Sequence, residues 1–320
     1  MHALCFDRFG GPEVLSWREL PDPAPQPGHA IVRLQAVGLN FADIYRRRGH
    51  YHLDGPPPYI AGYEGAGVVA TTTEGGPFAA GTRVGFADCP RANAELVSVP
   101  FAKLIPLPAG ITPEIAAAVL LQGLTAHYLT HDSHPLRPGE TAVVHAAAGG
   151  VGLLLVQMGR LLGAHVIGLT SGEAKRTAAR EAGADHVLLS GDDWPAQVRA
   201  LTGGRGADVV YDSVGTTLPD SFTATRQGGR VVFYGMAGGD PPPVDPRRLM
   251  DASQTLTGGD LWNVLTSAEQ RRLRAAGLFD WVASGRVKVR IAKRFPLRDG
   301  AAAHSCLESR TVIGKVLLLP

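Results

Sequence analysis

The stretch that most constrains the fold of this chain is residues 141–164, TAVVHAAAGGVGLLLVQMGRLLGA. The β-branched residues at its start predict a buried strand, Gly149 and Gly150 predict a turn, and the apolar run after them predicts a helix. A helix that opens directly after such a strand presents free N–H groups and the positive end of its dipole, which suit a pyrophosphate. We therefore expect a phosphate site at this turn.

The turn also matches the dinucleotide-binding pattern GxGxxG, with Ala147, Gly149 and Gly152 at the three glycine positions. The second glycine of that pattern lets the backbone approach phosphate, and the third lets the helix lie close on the strand. An ordinary glycine-rich turn is the alternative, but the flanking strand and helix favour a dinucleotide site. The predicted contacts are Ala148, Gly149, Gly150, Val151 and Gly152.

Composition limits the class of protein. A chain of 320 residues, 45% hydrophobic and 19% charged, is long enough for two globular domains. The formal net charge of +2 provides no basic patch for nucleic acid, which we do not expect as a partner. The N-terminus has no signal-peptide pattern, and polar residues interrupt the longest apolar runs. We expect a soluble, cytoplasmic protein without a membrane partner.

The spacing of the cysteines and histidines in the sequence indicates neither a metal site nor a set of disulfide bonds. Cys5, Cys89 and Cys306 are far apart and form no CxxC pair, which excludes a disulfide scaffold and a four-cysteine zinc lobe. Each thiol is expected to be buried, although Cys89 precedes a proline in a loop-like stretch and is the candidate for exposure. The eleven histidines are interpreted as scattered core and surface residues.

The first part of the chain differs from the second. Up to about Ile111, β-branched runs such as AIVRLQAVGLN and GAGVVATTT alternate with Gly and Pro clusters, which predicts a β-rich domain. Residues 21–28 and 54–62 are proline-rich and are predicted to be extended or rigid loops. Thr112 and Pro113 provide the N-cap and first position of a long helix that opens the second part.

Strands and helices alternate from residue 141 onward, which predicts a doubly wound parallel sheet with helices on both faces. Its last strand is QTLTGG. The C-terminal strands VKVRIAKRFPL and GKVLLLP have no parallel partner nearby and are predicted to rejoin the first domain. The predicted class is α/β, with a Rossmann sheet at residues 121–264 inserted into a domain made of residues 1–120 and 265–320.

Four segments now resemble one family: GLNFADIYRRRGHY, GYEGAGVV, HAAAGGVG and ESRTVIGKVLLL. They are similar to the zinc-free quinone oxidoreductases, the zeta-crystallin-like branch of the medium-chain dehydrogenase/reductase superfamily, over essentially the whole chain. The resemblance implies a GroES-like catalytic domain around the Rossmann domain, NADPH in the cleft between them and a small-molecule quinone or enone substrate. It also implies a homodimer formed by the edge strands of the Rossmann sheets.

The residues at the metal positions of zinc-dependent relatives support the zinc-free branch. Asn40 stands where those relatives have a cysteine ligand, and Tyr63 stands where they have a histidine ligand. Neither side chain is a usual zinc ligand. We therefore expect no metal.

The end of the second Rossmann strand predicts the choice of cofactor. Folds that prefer NAD have an acidic residue there, which binds the ribose hydroxyls. This chain has Thr170 and Ser171, followed by Lys175, so a 2′-phosphate would meet hydroxyls and positive charge; the nearby Glu173 weakens that argument. We expect NADPH with Lys175 as the main discriminator. The family often has a tyrosine at the position of Ser190, so the preference over NADH is expected to be modest.

The resemblance implies the residues around the reacting groups. Asn40, Tyr45 and Tyr51 resemble the polar wall beside nicotinamide and substrate, with Tyr51 or a water as the proton donor. The other implied cofactor contacts are Thr125, Tyr128, Ser213, Gly235, Met236 and Lys315. Structural alternatives stay open: a core aromatic for Tyr45, a turn residue for Asn40 and a strand-edge position for Lys315. The arginines 46–48 are interpreted as a solvated face.

Three functions follow from these expectations. The first is NADPH-dependent quinone reduction, in which the conjugation of the substrate delocalises charge, so the protein has mainly to position and desolvate the reactants. The second is reduction of an enone, a 2-alkenal or an enoyl thioester on the same scaffold. The third, from another class, is an NADPH-binding protein with a structural or regulatory role.

Overall fold

The structure is a computed structural model that describes residues 1–53 and 55–320. The strands are β1 His2–Phe6, β2 Ser16–Glu19, β3 His29–Leu39, β4 Tyr59–Ile60, β5 Gly65–Thr72, β6 Arg83–Phe86, β7 Leu96–Pro100, β8 Ile105–Pro106, β9 Thr141–Val144, β10 His165–Thr170, β11 His186–Leu189, β12 Ala207–Asp212, β13 Thr225–Phe233, β14 Thr255–Gly258, β15 Ile291–Pro296 and β16 Lys315–Leu319. The helices are α1 Phe41–Arg47, α2 Pro113–Tyr128, α3 Gly150–Leu161, α4 Glu173–Glu181, α5 Trp194–Leu201, α6 Leu218–Ala224, α7 Pro246–Ala252, α8 Leu261–Val264, α9 Ala268–Ala283 and α10 Gly300–Glu308.

These elements form two compact units. The first, here called the catalytic unit, comprises Met1–Leu124, Leu265–Ala283 and Val289–Pro320. The second, here called the Rossmann unit, comprises Thr125–Val264 and Ser284–Lys288. The sequence predicts a boundary between the two units after residue 120. In the structure this boundary follows Leu124, within helix α2. Among the described residues no helix is long and apolar enough to cross a bilayer.

The catalytic unit is built on β3, an eleven-residue strand whose side chains are mostly buried. It lies inside a seven-stranded sheet of order β15-β16-β3-β5-β6-β8, and β7 also pairs with it. All neighbours are antiparallel except β15 and β16. A three-stranded antiparallel sheet, β2-β1-β4, completes the unit. The predicted return of the C-terminal strands to the N-terminal β-rich region is confirmed, because β16 pairs with β3. The premise that these strands have no parallel partner nearby is wrong, because β15 and β16 pair in parallel with each other.

The Rossmann unit is a six-stranded parallel sheet of order β11-β10-β9-β12-β13-β14. The order reverses at β9, which lies between β10 and β12, so the carboxyl ends of these strands meet at one edge. Buried residues such as Val143, Ile167 and Val210 form its core with helices α5 and α6. The predicted doubly wound sheet is confirmed, including its last strand.

The helix cap and one of the two loops predicted from the sequence are present in the structure, and the second loop is present in part. Thr112 caps α2 as predicted, since its Oγ1 accepts the Ile115 N–H at 3.2 Å. Residues 21–28 contain no helix or strand, in accordance with the proline-rich sequence. The second predicted loop is only partly irregular, because Tyr59 and Ile60 form β4 and pair with β1. Asp54, which begins that predicted loop, lies outside the described residues.

One close approach determines how α3 lies against the strand before it. A Cβ atom added at Gly152 would lie 2.2 Å from the Ala146 carbonyl oxygen and 2.8 Å from the Ala147 Cα atom. Both neighbours are backbone atoms, which cannot rotate away as a side chain does. The third glycine of the pattern is therefore required by packing between α3 and the turn that precedes it.

Replacement of this glycine should test the close approach. We expect Gly152→Ala to lower the stability of the cofactor-free protein by about 1–3 kcal/mol, the usual cost of overpacking. Urea unfolding followed by fluorescence measures the effect. The control is Gly191→Ala in the same unit, where a Cβ meets nothing within 4 Å; it should be neutral or stabilising by about 0.5 kcal/mol. Equal stability of the two variants would contradict the packing argument.

Candidate functional site

The phosphate turn lies between β9 and α3. Ala146 has a left-handed φ of 47°, and its carbonyl accepts the Gly149 N–H at 2.7 Å. Gly149 is the N-cap of α3 and offers no side chain to the first turn of the helix, which begins with Gly150. Ala148 is buried, whereas Gly149, Gly150 and the following Val151 are half-buried. Uncapped N–H groups at a helix N-terminus fit a pyrophosphate.

The end of β10 provides a second feature that fits a dinucleotide. Thr170 is 3% exposed, and within the described part of the chain its Oγ1 has no hydrogen-bond partner. The carbonyl of Thr170 accepts the N–H of Ser190, which follows β11, at 2.9 Å. A buried hydroxyl without a partner is costly, and a ribose or phosphate group at this strand end would satisfy it.

Lys175 and Arg176 differ in what they contact. Lys175 Nζ donates to the Ser171 hydroxyl at 2.8 Å, and both groups are at the surface beside the end of β10. Arg176 instead donates to the Val187 carbonyl at 3.1 Å and to the Glu173 carboxylate at 2.8 Å. Glu173 therefore has an internal partner, which reduces its repulsion of an anion. These contacts leave Lys175 as the cation associated with the hydroxyl pair.

The remaining predicted residues of the Rossmann unit lie at two places. Ser213 and Gly235 follow β12 and β13, and a Cβ on Gly235 would lie 3.3 Å from the Ser213 carbonyl oxygen, so these strand ends adjoin. Met236 follows Gly235 directly.

Tyr128 is 2% exposed, and its hydroxyl would lie 2.9 Å from a Cβ at Gly259, after β14. Thr125 is also buried, on the same helix. Their contacts with a cofactor stay predictions.

A buried polar cluster surrounds Asn40 in the catalytic unit. Asn40 Nδ2 donates to the Gly38 carbonyl at 3.2 Å and to Glu64 Oε2 at 2.9 Å. Its Oδ1 accepts from Lys315 Nζ at 2.8 Å and from Gln122 Nε2 at 3.1 Å. The amide is 3% exposed and has used both donors and both lone pairs. Asn40 thus orders this cluster; its predicted place beside the substrate stays a prediction.

Lys315 forms a buried ion pair with Glu64. Their atoms Nζ and Oε2 are 2.6 Å apart, and the side chains are 2% and 0% exposed. Glu64 also accepts the Leu121 N–H at 2.6 Å. The strand-edge alternative for Lys315 is wrong, because β16 lies between β15 and β3. Its predicted contact with the cofactor is not tested by these distances.

The interpretation of the arginines 46–48 as a solvated face is wrong for two of them. Arg46 is 3% exposed, and its guanidinium carbon lies 3.4 Å from the ring centroid of Tyr63 and 4.9 Å from that of Tyr51. Arg47 is fully buried and pairs with Glu308 of α10. Only Arg48 is exposed. Aromatic faces and a carboxylate replace water around the two buried cations.

Asp43 completes the cluster at the start of α1. Its Oδ2 accepts the Asn40 N–H at 2.9 Å, and its Oδ1 lies 3.7 Å from Arg46 Nη1. Burial raises the pKa of Asp43 to about 6, against the attraction of Arg46 and the Asn40 hydrogen bond, which lower it. The carboxyl group therefore changes its charge in the weakly acidic range.

The structure brings Tyr45 and Tyr51 together. Their ring centroids are 6.4 Å apart, with an interplanar angle of 75°. Both are half-buried, and Tyr51 also contacts the His52 ring at 4.6 Å. This arrangement leaves part of each phenol accessible, so Tyr45 is not the core aromatic of the alternative. A role for either tyrosine toward the substrate stays a prediction.

The predictions for the histidines and cysteines are wrong at several positions. His127 and His131 are not scattered, because they are one helical turn apart and their rings stack at 4.0 Å. Nevertheless, across residues 1–53 and 55–320 no group of three His, Cys, Asp or Glu side chains could hold a metal ion. Cys89 is not exposed: it is 2% accessible, and burial raises the pKa of its thiol to about 12. Cys5 is buried, and burial likewise raises its pKa. Cys306 is only partly buried, so the expectation of burial is wrong for this thiol.

The sequence analysis missed several members of these clusters. Glu64 stands in GYEG between residues that become buried, and a lone carboxylate in such a run signals a buried partner. Asp212 ends the apolar strand ADVVYD in the same way. No local pattern connects Glu64 to Gln122 or Lys315, because only the tertiary fold brings them together.

Comparison with known proteins identifies the family. The family model described as Alcohol dehydrogenase GroES-like domain matches residues 26–138, and the one described as Zinc-binding dehydrogenase matches residues 150–273. A quinone oxidoreductase of Pseudomonas aeruginosa is 39% identical over 322 residues, which are 99% of this chain and 99% of that protein. A 2-haloacrylate reductase of a Burkholderia species is 38% identical over 331 residues, 99% of this chain and 98% of that protein.

A solved structure gives the same result. The Escherichia coli quinone oxidoreductase complexed with NADPH matches with a TM-score of 0.97 and 35% identity, and the match covers 100% of each chain. This chain therefore belongs to the medium-chain dehydrogenase/reductase superfamily and, within it, to the quinone oxidoreductase branch that the sequence predicted. It is an oxidoreductase with a GroES-like unit and a Rossmann unit.

The raised pKa of Asp43 predicts how stability depends on pH. The folded protein holds this proton more tightly than the unfolded chain, so the stability contributed by the protonated group is present below pH 3.8 and is lost as the pH rises through about 6. Asp43→Asn removes this loss. Relative to wild type, the variant should therefore gain about 1–2 kcal/mol of unfolding free energy between pH 4.5 and pH 7.

Urea unfolding at a series of pH values measures this difference. Asp245→Asn is a useful contrast, because Arg247 lowers the pKa of Asp245. The stability that this carboxylate contributes is present above pH 3.8 and is lost only as the pH falls below that value, so its difference from wild type should be nearly constant between pH 4.5 and pH 7. A stability difference for Asp43→Asn that does not depend on pH would contradict the raised pKa.

Proposed function

We propose that this protein is an NADPH-dependent quinone oxidoreductase, which transfers a hydride from NADPH to a small quinone without a metal ion. The observation that carries the proposal is the end of β10, where Thr170, Ser171 and Lys175 offer hydroxyls and a cation and no carboxylate. The phosphate turn and the NADPH complex of the Escherichia coli relative support the same cofactor. Bound NADPH supplies the hydride.

The Rossmann unit has the task of holding the cofactor. N–H groups at the start of α3 bind the pyrophosphate, with Gly149 allowing close approach of the backbone. The Thr170 hydroxyl accepts or donates a hydrogen bond at the adenosine ribose, and Lys175 pairs with the 2′-phosphate. Ser213 and Gly235, which adjoin at the ends of β12 and β13, line the same edge.

The catalytic unit has the task of positioning and desolvating the acceptor. Tyr45 and Tyr51 are half-buried neighbours, so their rings can pack on a planar quinone while their hydroxyls contact its oxygens. Tyr51 is the better proton donor of the polar wall, because the Asn40 amide already has four partners. The Arg46 guanidinium, 4.9 Å from the Tyr51 ring, favours the negative charge that proton transfer leaves.

Reduction of an activated alkene is the second candidate. The observation that favours it is the 38% identity to a 2-haloacrylate reductase over nearly the whole of both chains. An electron-poor alkene needs the same hydride and the same proton donor as a quinone. A structural or regulatory NADPH-binding role is the third candidate, and it predicts cofactor binding without turnover of any acceptor.

The sheet edge and the composition support two further proposals. We infer a homodimer in which β14 pairs with β14 of a second copy, since β14 pairs only with β13 within the described chain and leaves its outer edge open. We also infer a cytoplasmic location, because three free thiols, of which Cys5 and Cys89 are buried, suit a reducing compartment.

Steady-state loss of NADPH absorbance tests the proposed activity. We expect the protein to consume NADPH with simple benzoquinones and naphthoquinones at a kcat/KM at least about tenfold above that for 2-alkenals and 2-haloacrylates, a difference of about 1.4 kcal/mol in transition-state binding. The reverse order would favour the alkene reductase. Tight NADPH binding without turnover of any acceptor would favour the third candidate.

Replacement of Lys175 tests the choice of cofactor. We expect Lys175→Ala to weaken NADPH binding about ten- to a hundredfold through loss of a charge-assisted contact, and to leave NADH binding nearly unchanged. Fluorescence titration with both nucleotides measures the ratio. Arg180→Ala is the matched control, because Arg180 is an exposed cation of the same helix but lies in its last turn, away from the end of β10, and its loss should affect both cofactors alike. Equal weakening by Lys175→Ala would show that this lysine is structural.

A further inference from the structure

A buried side-chain network joins the carboxyl ends of β9 and β12 in the Rossmann unit. His145 follows β9, is 2% exposed, and its Nε2 lies 3.1 Å from Ser221 Oγ of α6. Ser221 Oγ donates at 2.7 Å to Oδ2 of Asp212, the fully buried last residue of β12. Thr217 Oγ1 donates to the same oxygen at 2.9 Å and lies 3.5 Å from His145 Nδ1. Ser221 therefore bridges the imidazole and the carboxylate, and Thr217 donates a second hydrogen bond to the same carboxylate oxygen.

The hydrogen bonds determine the protonation of this network. Ser221 has one hydroxyl proton, which it donates to Asp212, so its oxygen accepts from His145 and the imidazole carries its proton on Nε2. Burial lowers the pKa of His145, opposed by the carboxylate of Asp212, and the ring is neutral at pH 7. Burial would raise the pKa of Asp212, but His145, Ser221 and two backbone N–H groups lower it, so the carboxylate is ionised.

The network is continuous with the phosphate turn. Ala146, the next residue after His145, begins the turn with its left-handed φ of 47°. The backbone on each side is bonded to a neighbouring strand: the His145 N–H donates to the Tyr211 carbonyl at 3.1 Å, and the Ala147 N–H donates to the Leu169 carbonyl at 3.0 Å. Trp194 packs edge-on against the imidazole at 5.1 Å. His145 therefore lies directly before the turn and is held through both its backbone and its ring.

We propose that His145 is a positioning residue for the cofactor: through Ser221 it anchors the phosphate turn to Asp212 and holds the first N–H groups of α3 in their binding direction. The inference rests on the proposed binding of NADPH. An anion held by backbone N–H groups gains most when those groups are fixed before binding, since no ordering cost is then left.

The same two strands carry a matched control at their opposite ends. The Thr141 N–H, at the start of β9, donates to Asp208 Oδ2 of β12 at 2.7 Å. Arg205 and Arg226 also bind the Asp208 carboxylate. This second connection joins β9 to β12 as the His145 network does, but at the amino ends, remote from the turn. Asp208→Asn therefore measures the cost of weakening contacts of these two strands, including the two ion pairs, at a place remote from the turn.

The experiment compares four proteins: wild type, His145→Phe, His145→Gln and Asp208→Asn. We expect His145→Phe to raise the Kd for NADPH about tenfold or more, measured by fluorescence titration, as fewer charge-assisted N–H contacts are made. The KM for NADPH should rise with it, while the KM for the quinone stays the same. His145→Gln keeps a donor toward Ser221 and should restore most of the affinity. Asp208→Asn should lower the Tm of the cofactor-free protein without change in the Kd.

Each outcome bears on the inference. An unchanged Kd for His145→Phe, or a Kd that rises equally in Asp208→Asn, would overturn it. If His145→Phe does not fold, Ser221→Ala makes a smaller change in the same network and should still raise the Kd for NADPH above that of Asp208→Asn. Proton–nitrogen correlation spectra of the wild type should show the Nε2–H tautomer for His145, and an Nδ1–H tautomer would contradict the network. A wild type that does not bind NADPH would instead refute the proposed function.

Discussion

The close approach of α3 to the turn after β9 is the constraint on which the cofactor half of this protein depends. Since backbone atoms of Ala146 and Ala147 fill the space beside Gly152, α3 packs directly against the turn with no room for a side chain between them. The N-terminus of the helix then points to the edge where β10, β12 and β13 also end. A binding direction for an anion is thus a consequence of packing, present before any ligand arrives.

The catalytic unit holds several charged side chains in its interior, away from water. Lys315 and Glu64 pair directly, Arg46 lies between two tyrosine rings, and Arg47 pairs with Glu308. Removal of one member of such a pair typically costs about 3–5 kcal/mol, because the other charge is left without compensation. These interactions are therefore mutually dependent, and they hold the polar wall rigid around Asn40 and the start of α1.

Periodicity and glycine placement in the sequence were sufficient to predict the architecture. The βα alternation and the Thr112 cap depend on local patterns alone. The return of β16 to the first sheet was predicted from the lack of a local parallel partner, but β15 is such a partner, so this prediction was right for a wrong reason. The polar clusters were not predictable in this way. Arg46 and Arg47 look like a solvated face in a run of three arginines, and only contacts with Tyr63 and Glu308, distant in sequence, explain their burial. Likewise, Lys315 and Asn40 are 275 residues apart.

The burial of Cys5 and Cys89 has a consequence for an enzyme that reduces quinones or activated alkenes. Quinones and activated alkenes are electrophiles that add to thiolates, so an enzyme that binds them risks being alkylated by its own substrate. Cys5 and Cys89 are shielded twice: neither is accessible, and burial raises the pKa of both thiols, to about 12 for Cys89, so almost no thiolate exists at neutral pH. Self-inactivation at these two positions is therefore suppressed by the packing that forms the core.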